Sequence, residues 1–132
     1  MAKSTMTRGP DAPADEDVEA DEDVEVNVPF ISSSLLAVQQ MELATSTRED
    51  IDSRFEVVKK HLALLMGQDL AYDADARVRE LYRAAYRHLE LSRRPTATSH
   101  AFYAFNYLKD TADLLIGFLA AYERERAKRE EG

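Results

Sequence analysis

Apolar residues recur at helical spacing along most of the chain after residue 32. The first helical region is predicted from Ser33 to Met66, because apolar residues in its second half return every three or four positions on one stripe. Gly67 follows as a stop signal. The stripe of the second half consists of Ile51, Phe55, Val58, Leu62 and Leu65.

The apolar positions between residues 35 and 43 do not keep this phase. Ser46 and Glu49 lie three residues apart between the two halves, which is the spacing of a capping box at a helix start. We therefore predict a break or kink near Thr45–Thr47 that divides the region into two helices. One continuous helix is the alternative.

Two more helices are predicted further along the chain. One starts at Asp73 or Asp75 as its cap and runs to about Ser92, with Val78, Leu81, Ala85 and Leu89 as its buried stripe. Pro95 ends this helix or opens the next one, which runs from about Thr98 to Lys128. Strand alternation is absent from this part of the chain, so the predicted fold class is all-α, a three- or four-helix bundle.

The predicted last helix is apolar around most of its circumference. Its polar residues occupy a strip of roughly 100° on the helical wheel, whereas a bundle helix usually buries about half of its surface. Such a helix is either the central rod of the bundle or part of a subunit interface. We expect self-association into a homo-oligomer, with an interface that contains Phe105, Leu108, Leu115, Phe118, Leu119 and Tyr122.

The negative charge of the chain is concentrated at its start. Residues 1–30 contain nine acidic residues and two basic ones, a charge of −7, out of a formal net charge of −8 for all 132 residues. Residues 31–132 contain 16 acidic and 15 basic residues. This composition predicts an acidic disordered or extended tail over residues 1–29 and a helical domain over residues 30–132. The charge balance makes nucleic acid an unlikely partner.

The end of the tail has a different pattern from its acidic part. Val24, Val26, Val28 and Phe30 alternate with polar residues, which suits an extended peptide that pairs with a sheet edge or lies in a groove. We predict that residues 24–30 dock on a protein partner. The alternative is a hydrophobic staple at the start of the first helix.

A ridge of arginine is predicted on the third helical segment. Arg79, Arg83 and Arg87 recur every four residues, opposite the apolar stripe, with Tyr82 and Tyr86 beside them. Arginine next to tyrosine can bind phosphate or carboxylate groups and stack on bases. The ridge is therefore a candidate anion-binding surface for nucleic acid, an acidic protein segment or the tail of this chain. An ordinary solvated helix face is the alternative.

Arg94 and His100 are separated by five residues at the entrance to the last helix, in the sequence RRPTATSH. This arrangement resembles the Arg-x₅-His motif of the HEPN family of helical ribonucleases. The resemblance implies that Arg94 and His100 meet at a dimer cleft and support attack of a ribose 2′-hydroxyl on its neighbouring phosphate. Pro95 departs from the pattern, because that family usually has Asn or Asp after the arginine.

The sequence offers few other candidates for catalytic or metal-binding groups. The chain has no cysteine, which excludes disulfides and thiolate metal sites. Asp110 and Asp113 lie one turn apart, and the three histidines, His61, His88 and His100, fall on different segments without metal-ligand spacing. We predict no catalytic group, no metal and no cofactor. The chain shows no signal peptide and no membrane span, so we expect a protein of the cytoplasm, or of a particle assembled there.

These observations favour a non-catalytic helical assembly or adaptor protein that self-associates and docks a partner through its N-terminal segment. Structural and accessory proteins of viruses and phages fit this profile. A HEPN-like ribonuclease that uses Arg94 and His100 is the first alternative. A nucleic-acid-binding regulator whose acidic tail masks its own binding surface is the second.

Overall fold

The computed structural model describes residues 25–131, and this part of the chain contains helices but no strand, which confirms the all-α prediction. The helices are α1 (Val28–Gln39), α2 (Arg48–Met66), α3 (Ala76–His88) and α4 (Ala101–Glu131). Short 3₁₀ turns lie at Leu43–Thr45 and Leu91–Arg93. Val24 and the acidic part of the predicted tail lie outside the described residues.

The predicted break in the first helical region is confirmed, because residues 40–47 separate α1 from α2. The predicted capping box is wrong by one residue. Thr47 is the N-cap of α2: its hydroxyl accepts a hydrogen bond from the backbone N–H of Asp50, and the Asp50 carboxylate accepts one from the N–H of Thr47. These two bonds satisfy backbone donors that the start of a helix leaves free. Gly67 ends α2 as predicted.

The first helix starts earlier than predicted, at Val28. Asn27 caps it through a 3.0 Å hydrogen bond from the backbone N–H of Phe30 to the Asn27 side chain. Pro29 lies in the first turn, where its fixed φ angle suits a helix and its missing N–H costs nothing. The predicted extended conformation of residues 24–30 is therefore wrong for Val28 and Phe30, which are helical.

The connection between α3 and α4 is longer than predicted. Asp75 caps α3 as expected, but α3 ends at His88 rather than Ser92, and α4 begins at Ala101 rather than Thr98. Two 2.8 Å hydrogen bonds from the Arg48 guanidinium to the carbonyls of Thr96 and Ser99 fix the last part of this connection against α2. The Thr96 carbonyl also accepts a 3.0 Å hydrogen bond from the backbone N–H of Ser99, which forms a turn before α4.

The last helix is the centre of the fold. It packs against α1, α2 and α3, and its buried residues recur along most of its length. The side chains of all four helices form one apolar cluster. The fully buried large residues of that cluster are Ile31, Val38, Ile51, Val58, Leu62, Leu65, Leu70, Val78, Leu108, Leu115 and Phe118.

Candidate functional site

The apolar residues predicted to form a subunit interface lie mainly inside the single chain. Leu108, Leu115 and Phe118 have 0% of their surface exposed, and Leu119 has 8%. Phe105 and Tyr122 are half-buried and pack against the same core. The other helices of the chain therefore cover these side chains. Self-association stays a prediction, but this set of residues does not provide an open surface for it.

The polar strip on α4 consists of Asn106, Lys109, Asp110, Asp113 and Gly117. Lys109 and Gly117 have roles inside the fold. The Lys109 ammonium donates hydrogen bonds to the carbonyls of Val38 at 2.9 Å and Met41 at 3.4 Å, at the C-terminal end of α1. A cation at this end neutralises the partial negative charge of the helix dipole. Gly117 faces α3, where a Cβ atom at residue 117 would lie 2.7 Å from Cδ2 of Leu81. Only Asn106, Asp110 and Asp113 remain fully exposed.

The exposed aromatic side chains of the α2–α3 region meet around Tyr82. Its hydroxyl donates a 2.6 Å hydrogen bond to the carbonyl of Met66, and its ring packs edge-on against Phe118 in the core. Tyr72, from the loop before α3, and Tyr86, one turn further along α3, contact the outer side of Tyr82 at 5.3 and 6.2 Å between ring centroids. Tyr72 is 49% exposed and Tyr86 is 64% exposed.

The predicted arginine ridge lies beside these rings. Arg79 donates hydrogen bonds to the carbonyls of Tyr72 and Asp73, at 2.9 and 3.0 Å, so it holds the loop against α3. Arg83 forms an exposed ion pair with Glu80. Arg87 is exposed, and within residues 25–131 its side chain has neither an ion pair nor a hydrogen bond.

We call this region the arginine–tyrosine surface and define it as Tyr72, Arg79, Arg83, Tyr86 and Arg87. The helix that carries most of it is basic, with four arginines and one glutamate over Ala76–His88. The sequence identified the arginines. It did not identify Tyr72, because the loop that brings this ring to α3 has no periodic pattern.

The Arg94 and His100 side chains have separate surroundings. Arg94 lines a cleft of about 450 Å³ between α2 and α4, and its Nε donates a 3.3 Å hydrogen bond to the carbonyl of Leu89. His100 is exposed and does not line that cleft. Within residues 25–131 no hydrogen bond joins the two side chains, so the pair that the HEPN resemblance implies is not formed within one chain.

His88 belongs to a hydrogen-bonded cluster between α3 and α4. The Thr111 hydroxyl donates to the carbonyl of Tyr107 and lies 2.7 Å from Nε2 of His88, so the imidazole carries its proton on Nε2 and donates it to Thr111. The Tyr107 hydroxyl donates to the carbonyl of His88, and the two rings stack at 4.1 Å. Burial lowers the pKa of His88, and the nearby Asp110 carboxylate opposes this shift. The cluster joins the end of α3 to α4.

A second histidine joins α1 to α2. Nε2 of His61 lies 3.2 Å from the Ser34 hydroxyl, both side chains are buried, and Phe30 covers the imidazole edge-on at 5.1 Å. Burial lowers the pKa of His61. An open groove of about 710 Å³ borders this pair, and it is lined by Glu25, Asn27, Phe30, Ile31, Lys60, His61, Ala63 and Leu64.

The predicted docking residues lie beside this groove or against the core. Val26 and Val28 are half-buried and pack against the core of the same chain, whereas Phe30 is 57% exposed. Docking of a partner through residues 24–30 stays a prediction, and two of its valines are already in contact with the domain.

The acidic and histidine side chains of residues 25–131 do not assemble into a group of three or more that would hold a metal ion. Within the same residues no helix has the length and hydropathy needed to cross a bilayer. Comparisons with protein-family models, with curated proteins and with solved structures give no match.

Proposed function

We propose that the protein is a non-catalytic helical adaptor that binds an acidic segment of a protein partner through the arginine–tyrosine surface. The observation that supports this function most directly is the exposure of Arg83, Tyr86 and Arg87 on α3. The exposed ring of Tyr72, from the preceding loop, packs on Tyr82 of the same helix. Tyrosine and arginine are enriched in protein interfaces and contribute strongly to their affinity.

The aromatic part of this surface is preorganised. Tyr82 is fixed by its hydrogen bond to Met66 and by its contact with Phe118, and it supports the two exposed rings from below. A supported ring loses little side-chain freedom on binding, which improves affinity for a given contact area. The surface therefore combines rigid aromatic contacts with cationic side chains.

The charge of the surface selects an acidic partner. Arg83 and Arg87 are exposed, and the Arg83–Glu80 pair is an exposed ion pair that contributes little stability. Glu80 therefore competes weakly with an incoming carboxylate. Guanidinium groups form two parallel hydrogen bonds with a carboxylate, so a segment rich in Asp and Glu matches this surface.

This function is tested with a fluorescently labelled peptide of four Glu-Asp-Val repeats. The chain used in this test has Asn or Gln in place of each of the seven acidic residues between positions 15 and 23, so that the tail does not compete with the peptide. Arg83→Glu with Arg87→Glu should weaken binding at least about tenfold, or about 1.4 kcal/mol. Added salt should weaken it further, because exposed charges are screened.

The matched control is Arg54→Glu with Lys60→Glu, which makes the same charge change at exposed positions of α2. This variant should keep most of the peptide affinity. Equal loss in both variants, or no binding at all, would overturn the proposal. A single-stranded RNA of similar length that binds more tightly, with the same dependence on Arg83 and Arg87, would replace the protein partner by nucleic acid.

A further inference from the structure

We infer that the acidic segment Asp15–Asp23 of this chain binds the arginine–tyrosine surface of the same molecule. This inference rests on the proposed function, since it names the occupant of the surface before a partner arrives. A partner with an acidic segment then competes with the tail, and the tail sets the affinity that a partner needs.

The segment and the arginine–tyrosine surface have complementary charge. Residues 15–23 contain seven acidic residues and no basic residue, while α3 has four arginines and one glutamate. Other carboxylates in this part of the chain include Asp73 in the preceding loop, Asp75, which is paired with Arg77, and Asp69, whose Oδ2 lies 3.9 Å from the Arg129 guanidinium. No other helix of the described chain carries so large an excess of positive charge. The arginine–tyrosine surface is therefore the best match for the segment.

The segment is long enough to reach the arginine–tyrosine surface from the point where the described chain begins. Glu25, the first described residue, lines the same groove as Leu64, which is in the last turn of α2. Met66, about 3 Å further along the helix axis, accepts the hydrogen bond from Tyr82. The chain thus enters the domain near the end of α2 at which the Met66 carbonyl accepts the hydrogen bond from Tyr82. The ten residues from 15 to 24 extend up to about 33 Å, at ~3.3 Å per residue, which is enough to pass around this end.

The segment and the surface belong to the same molecule. A short linker between two such elements gives an effective concentration of the order of millimolar. Exposed ion pairs are individually weak, but several of them at this concentration are enough to hold a segment with seven acids. Val18 and Ala20 lie among the acids, and they are small apolar residues that suit the exposed rings of Tyr72 and Tyr86.

The absence of cysteine allows a direct test in the full-length chain. Ala20→Cys provides the only thiol, to which a nitroxide spin label is attached, and the chain is labelled with ¹⁵N. The nitroxide should broaden the amide signals of Tyr72 and of the exposed face of α3, and reduction of the label should restore them. Arg83→Glu with Arg87→Glu should abolish the broadening, and Arg54→Glu with Lys60→Glu should leave it.

The outcomes separate this inference from the proposed function. Broadening at the groove lined by Phe30 and Lys60 instead, or no broadening while the Glu-Asp-Val peptide still binds, overturns the inference alone. Absence of both the broadening and the peptide binding overturns both proposals. If the same broadening appears when spin-labelled chains without ¹⁵N are mixed with ¹⁵N-labelled chains that carry no spin label, the segment binds a neighbouring molecule, which also contradicts binding within one chain.

Discussion

Helices α3 and α4 both carry aromatic residues, but beyond the exposed Phe102 and Tyr103 at the start of α4 they use them differently. On α4 the apolar residues extend around the helix because three other helices pack against it, and Phe118 is fully buried. On α3 the apolar stripe is narrow, and Tyr86 remains 64% exposed on the outer side. The apolar content of a helix therefore does not locate a binding surface. The number of neighbours within the same chain decides which side chains remain available.

The cations of the two helices show the same contrast. Lys109 on α4 is committed to the carbonyls that end α1, whereas Arg87 on α3 has no ion-pair or hydrogen-bond partner within residues 25–131. Lys109 stabilises the fold, whereas Arg87 has no such structural role among the described residues. Substitutions that separate stability from binding test this contrast.

The largest expected effect is on the core face of α4. Phe118→Ala should lower the free energy of unfolding by about 3–5 kcal/mol, because it leaves a cavity where α3 and α4 meet. Tyr86→Ala on the exposed face of α3 should change it by less than about 0.5–1 kcal/mol. Urea denaturation followed by circular dichroism measures both. A Phe118→Ala chain of unchanged stability that dissociates from a dimer to a monomer would show that Phe118 serves an interface instead.

A smaller effect is expected for the cation that caps α1. Lys109→Met keeps the apolar stem but removes the ammonium, so it should lower the free energy of unfolding by about 1–3 kcal/mol. Arg87→Met is the matched control and should change stability by less than about 0.5 kcal/mol. Equal effects of the two substitutions in urea denaturation would remove the distinction between a structural and a free cation.

The smallest expected effect is a dependence of stability on pH. Burial lowers the pKa of His61 and of His88, so the folded chain favours the neutral imidazoles. In the unfolded chain both protonate near pH 6.5. Their contribution to stability is therefore complete above about pH 6.5 and is lost as the pH falls through that value toward the lower folded pKa values.

Urea midpoints between pH 7.5 and pH 5.5 measure this dependence while most carboxylates remain ionised. The chain with His61→Gln and His88→Gln should show a flatter profile, since it lacks the two titrating groups. Arg83→Glu with Arg87→Glu should retain the slope, because the arginine–tyrosine surface does not contact either histidine ring. A profile that stays steep without the histidines would assign the dependence to other groups.

Much of the fold could be predicted from local patterns. The break before α2, the cap at Asp75 and the stop at Gly67 each depend on a few neighbouring residues. The exact cap of α2 could not be chosen, because Ser46 with Glu49 and Thr47 with Asp50 both have the required spacing. The start of α1 was missed although Asn27 followed by Pro29 is a helix-start signal, since the alternation of valines suggested an extended segment.

The site was harder to predict than the fold. Periodicity identified the arginines of α3, but it gave no information on which apolar residues of α4 would be covered by other helices. Tyr72 reaches the surface because Ala71 adopts a left-handed backbone conformation, with a φ of 62°, and because Arg79 donates hydrogen bonds to the carbonyls of Tyr72 and Asp73. Such contacts between distant positions have no signal in the spacing of residues.

A map of amide chemical shifts distinguishes a binding surface on α3 from one on α4. The full-length chain with amides at the acidic positions between 15 and 23 is titrated with the Glu-Asp-Val peptide and followed residue by residue. We expect the largest shifts at Tyr72 and along Arg79–Arg87, with little change at the buried positions of α4. Shifts centred on Phe105 to Tyr122, or scattered without a common face, would contradict the assignment of α4 to the core and of α3 to the binding surface.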